Sequence, residues 1–158
     1  MEQTLFHVHA HLAIFASGQP RPVPYGVGIP DASVQQTPQG PFVAQGSCFY
    51  WLHTHTDDGV IHVESPDQRT FTLGAFFDLW GQPLSSSQVG SDTGQVMAYV
   101  NGRRYQGDTR KIPLVAHATI RLDVGTDVPP APTPSPRVCE PRPRLMSCGG
   151  TPVGFNSC

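Results

Sequence analysis

The chain has 158 residues, 38% of them hydrophobic and 14% charged, with a formal net charge of -2. That is about one domain's length with enough apolar material for a core, and its charge offers no field for phosphate backbones, so no nucleic-acid partner is expected. No run approaches the ~20 apolar residues of a membrane span, and "MEQTLFHVHA" lacks the apolar region of a signal peptide, so neither is expected here.

Sixteen glycines and 17 prolines favour short strands and tight turns over long helices. The first element is "LFHVHAHLAIF", where Phe6, Val8, Ala10, Leu12 and Ile14 alternate with His7, His9 and His11. Period two over this length predicts a half-buried strand with its histidines on one face. Ser17-Gly18 predicts a turn into "QPRPVPYGVGI". There Pro20, Pro22 and Pro24 share one parity, so the missing donors all face one side and the strand is an edge on that side.

Residues 31 to 46 read as loop. "CFYWLHTH" and "GVIHVES" then read as a hairpin, with Asp58-Gly59 as a two-residue type I' turn. Thr72 is the expected N-cap of a helix whose Leu73, Phe76, Phe77 and Trp80 fall on one stripe, closed by Gly81 and Pro83. A second loop, "SSSQVGSDTGQ", leads to "VMAYVNGRRYQ", whose Asn101-Gly102 marks another hairpin. The last strand is "AHATIRLDV". Strands, hairpins and one short helix define a β-rich α+β class, with a β-grasp-like sheet as the leading architecture and a small β-barrel or cupin-like jelly roll as the alternative.

Residues 1-127 carry this pattern. From Val128 the composition changes to "VPPAPTPSPRVCEPRPRLMSCGGTPVGFNSC", rich in Pro and Arg and without apolar periodicity, which reads as a tail or linker. Cys48, Cys139, Cys148 and Cys158 make an even set, compatible with two bridges outside the cytosol in any of three connectivities. The tail leaves open a homo-oligomer or attachment to a surface or partner.

The chemistry lies in "LHTHTDDGVIHVES". With the turn at Asp58-Gly59, Thr56 opposes Ile61, His55 opposes His62, and His53 opposes Glu64. Opposed residues share a face, with Cβ atoms about 4.5–5.5 Å apart, so His53, His55, His62 and Glu64 form a compact square. Such a set can place three imidazole nitrogens around one ion at about 2.0–2.1 Å. The histidines of the first strand could complete this square or build a second site beside it; alternate residues on one strand are about 6.5–7 Å apart, so two of His7, His9 and His11 joining the set is a better geometry than all three binding alone. Imidazole ligands favour copper or zinc, with iron and manganese behind. Glu64 is open to three roles: metal ligand, acceptor of an imidazole N–H, or general base.

Other readings are blander. His117 alone is polar decoration, and Asp57 and Asp58 are turn formers. Cys48 as a thiol nucleophile lacks an activating neighbour, and Ser65 points away from His62, its near neighbour in sequence. Three-histidine sets on sheets are similar to those of carbonic anhydrases and cupins. The cupin likeness is partial: Gly46 precedes His53 by one residue too many and no Glu follows His55 at the expected place.

The combined pattern "FHVHAHLAIF", "CFYWLHTHTDDGVIHVESP", "FTLGAFFDLWGQPL", "YVNGRRY" and "IPLVAHATIRLDVG" resembles a group of small, histidine-rich bacterial proteins, often exported or membrane-tethered. The resemblance covers roughly residues 5 to 126. It implies an extracytoplasmic setting, periplasmic or secreted, and brings no activity. Three functions compete: a copper- or zinc-binding protein; a mononuclear metalloenzyme, either a copper or iron oxidoreductase or a zinc hydrolase, with Glu64 as base and Phe49, Tyr50 and Trp51 as pocket walls; and an adhesive module held by its tail.

Overall fold

The computed structural model describes residues 5–126; the Pro/Arg-rich stretch from Val128, with Cys139, Cys148 and Cys158, lies outside the described residues. In chain order, β1 (Phe6–Ala16) turns into β2 (Gln19–Arg21), and β3 (Ser33–Thr37) pairs with β4 (Gly40–Gln45). Next come β5 (Leu52–His53), β6 (Val60–Ser65) and β7 (Phe71–Thr72), which runs into helix α1 (Leu73–Trp80). After α1 follow β8 (Gln88–Val89), β9 (Asp92–Thr93), β10 (Val96–Val100), β11 (Arg103–Tyr105), a 3-10 turn (Thr109–Lys111), β12 (Pro113–Leu114) and β13 (Thr119–Val124).

The main sheet runs β11-β10-β13-β1-β6-β5, with β2 also paired to β1. β1 and β13 are parallel, with Leu12 beside Ile120 and Ile14 beside Leu122. Each is flanked by an antiparallel neighbour, β6 and β10 respectively. First and last strands parallel at the centre, with a helix between them in sequence, form the β-grasp-like arrangement; the sheet is open rather than closed into a barrel or jelly roll.

Two of the expected turns form as the local chemistry dictates. Ser17 and Gly18 have φ of 49° and 77°, and Asn101 and Gly102 have φ of 51° and 75°, the double left-handed geometry that suits a two-residue hairpin. Period two in β1 buries Ala10, Leu12, Ile14 and Ala16 on one face. Against that face α1 lays Leu73, Phe76 and Phe77, all at 0% exposure, each burial worth roughly 1.5–3 kcal/mol. Thr72 caps the helix by accepting the Ala75 N–H at 3.3 Å. Gly81, at φ 72°, ends it, and the Gln82 N–H reaches the Phe77 carbonyl at 3.0 Å.

The hairpin around Asp58-Gly59 departs from expectation. β5 pairs β6 as Leu52 with Val63 and His53 with His62, so His53 does not oppose Glu64, nor His55 His62. Gly59 has φ 83° but Asp58 is not left-handed, so no type I' turn forms. Competing partners explain the slip. The Thr54 N–H bonds the Val27 carbonyl at 3.0 Å, and its carbonyl accepts from Gly26 at 2.8 Å. The His55 carbonyl accepts from Val43 at 2.9 Å. With their backbone groups satisfied elsewhere, Thr54 and His55 leave the β6 ladder. Because the slip is by two residues, the histidines stay on the expected face.

Other segments differ as well. Residues 31 to 46, expected as loop, contain the β3–β4 hairpin, and the second loop holds the short β8–β9 ribbon. Only Gln19–Arg21 of the proline-rich stretch is strand, and "CFYW" lies outside any strand, leaving Cys48 exposed with a free thiol. No helix among the described residues is long and apolar enough to cross a membrane.

Candidate metal centre

β6 lies between β1 and β5, so its polar face meets both. His62 is opposite His9 on one side and His53 on the other, and Glu64 is opposite His7. Opposed residues project to the same face, which gathers His7, His9, His53, His62 and Glu64. His55 arrives from the loop after β5, its ring stacked on Phe42 at 5.2 Å between centroids and 11° between planes. Phe49 packs against His53 and His55, at 5.4 and 5.9 Å.

Gly28 makes this packing possible. At φ 71° its backbone lies so close to β5 that a Cβ would overlap the Leu52 carbonyl and press on His53 Cβ at 3.2 Å.

Two of the rings have their tautomers set by backbone carbonyls. His53 Nδ1–H donates to the Tyr50 carbonyl at 2.8 Å, and His55 Nδ1–H donates to the Val43 carbonyl at 2.5 Å. A carbonyl can only accept, so in the neutral rings each Nε2 carries the lone pair. These two Nε2 atoms are 3.1 Å apart. A tetrahedral ion with metal–nitrogen distances of about 2.0–2.1 Å separates its ligand nitrogens by about 3.3 Å, close to what the pocket provides. The same spacing recurs at His62, whose Nδ1 is 3.3 Å from His7 Nε2 and 3.1 Å from His9 Nε2.

Among the described residues, two groups of three could hold a metal ion: His7, His9 and His62, and His53, His55 and His62. Glu64 joins them. Its Oε1 is 3.1 Å from His7 Nε2 and 3.8 Å from both His53 Nε2 and His62 Nδ1. A carboxylate that is only 3% exposed needs donors or positive charge around it. His7 supplies one such contact, and a cation among these nitrogens would supply another.

Burial disfavours the protonated form of two of the donors, His62 and His9. The His62 pKa falls from 6.5 to about 3, first through desolvation and then through repulsion from the other histidines, His55 foremost. His9 is also lowered, by desolvation first and then by His7. Neutral imidazole is the form that binds metal, so His62 is in its binding form at neutral pH.

The remaining residues stand apart. His11 Nε2–H donates to the Asp58 carbonyl at 2.9 Å and belongs to neither group. His117 is exposed, and its backbone N–H reaches the His9 carbonyl. Asp57 is exposed, and Asp58 Oδ1 accepts from the Val60 N–H. Ser65 donates to the Asp67 carbonyl, away from the histidines. Phe49, Tyr50 and Trp51 line an apolar groove of about 600 Å³ with Cys48, Leu52, Phe71, Ala75 and Leu79, and no histidine contributes to its wall.

Sequence reasoning missed the carbonyls of Val43 and Tyr50 and the ring of Phe42. Comparison with protein families, curated proteins and solved structures gave no match, so the reading of the site rests on its geometry.

Proposed function

We propose that the protein binds one transition-metal ion, copper or zinc, at His53, His55 and His62, with Glu64 balancing its charge. The observation that supports this reading most is the pair of facing Nε2 atoms of His53 and His55, 3.1 Å apart. Both rings are turned towards a shared point by Nδ1–H bonds to backbone carbonyls, the outer contacts that fix metal-ligating histidines. An all-imidazole set with a single carboxylate suits copper and zinc better than iron or manganese. An extracytoplasmic setting accompanies the proposal.

Binding is favoured over turnover because the apolar groove, the natural place for an organic substrate, is walled by residues other than the histidines. Metal analysis of purified protein tests the reading. The wild type should carry close to one ion per chain, and a His53→Ala, His55→Ala double variant should carry almost none. Saturating the wild type at about 100 times Kd should stabilise it by about 2.7 kcal/mol. Equal metal content in the two proteins would rule out the assignment.

A further inference from the structure

We infer that His7 and His9, together with His62, form a loading site through which the ion reaches its resting place between His53, His55 and His62. The inference rests on the metal-binding reading and adds a direction of travel to it. Each group brings three ligand atoms within 4.8 Å of one another, and His62 belongs to both. Their surroundings differ. His7 and His9 are exposed, His62 is 20% exposed, and His53 and His55 are 0% and 6% exposed. A hydrated cation meets the first pair directly from solvent, whereas the second pair lies behind them under Phe42 and Phe49.

A neutral imidazole has one lone pair, so His62 serves one ion at a time. Bridging two ions through its ring would require loss of its N–H, and two divalent charges in so small a pocket repel strongly. The groups are successive positions rather than a two-metal centre. Glu64 sits where they meet, its Oε1 within 3.1 Å of His7 Nε2 and 3.8 Å of His53 Nε2.

In the transfer, the bonds from the ion to His7 and His9 break as bonds to His53 and His55 form, while His62 remains bound. The ion's waters leave towards the exposed side. No electron moves, and no proton is released, because Nε2 of His53 and His55 already presents a lone pair.

Stopped-flow mixing of the metal-free full chain with Co(II), whose absorption reports its ligand set, tests this. The wild type should show a fast phase followed by a slower spectral change as the ion moves inwards. In a His7→Gln, His9→Gln variant the fast phase should vanish and uptake should slow by about tenfold or more, the rate change of about 1.4 kcal/mol in barrier. Release to a chelator should slow by the same factor, and the final spectrum should match the wild type. Uptake by the variant at the wild-type rate would overturn the loading site. So would an altered final spectrum, which would make His7 or His9 a resident ligand. A wild type that binds no Co(II) would overturn the loading site, and one that also binds neither zinc nor copper would remove the metal-binding reading as well.

Discussion

The two faces of the sheet are built from the same strands and do different work. On one face Ala10, Leu12, Ile14, Ile61, Val63, Ile120 and Leu122 are sealed by the aromatic side of α1. On the other, His9, His62 and His53 lie side by side across β1, β6 and β5, covered only towards the β5 end. The sealed face supplies stability through apolar burial, and the half-open face is left free to present nitrogen atoms. Period two in the backbone is what allows both in one strand.

The largest expected effect separates the faces. Phe77→Ala empties a fully buried position and should cost about 3–5 kcal/mol in urea unfolding, while the folded protein keeps its metal stoichiometry. A parallel loss of metal per folded molecule would show that the faces are coupled.

A second effect belongs to the histidine face. The folded His62 pKa of about 3 lies below its ordinary 6.5, so between these values the unfolded chain binds more protons than the folded one. Stability of the metal-free protein should therefore fall as pH drops from about 7 towards 3, levelling off below the folded pKa. Urea midpoints at pH 7 and pH 5 check the sign. A His62→Gln variant should flatten the dependence, and an equal slope in the variant would assign it elsewhere.

The smallest effect sharpens the apolar side alone. Thr72→Ala removes the cap contact to the Ala75 N–H and should cost about 1 kcal/mol. Denaturant unfolding measures it, with metal content unchanged.

What was legible in the sequence was local. The alternation in β1, the left-handed turns at Ser17-Gly18 and Asn101-Gly102 and the helix from Thr72 to Gly81 depend on neighbours a few residues away, and each forms. β3 was hidden because four of its five residues are exposed, leaving no apolar alternation to read. The β5–β6 register was misjudged for a different reason. Val27, Gly26 and Val43 take the backbone bonds of Thr54 and His55, and no local pattern announces partners that far away in the chain. The site suffered less than its register, since a slip of two residues exchanges partners but keeps the face. The carbonyls of Tyr50 and Val43 had no signal at all, because every residue carries one.

The central parallel pair also joins the first strand to be synthesised with the last. His7 and His62 are 55 residues apart, and the ladder that aligns them ends at Ser65. The parallel partner of β1 comes much later, with Thr119 opposite His11. Contacts between residues remote in sequence are the slow ones to form. As the chain is synthesised, the half of the sheet that carries the histidines is available for pairing while β13 has yet to be made. The histidines of both groups are thus all made before the strand that closes the sheet around β1.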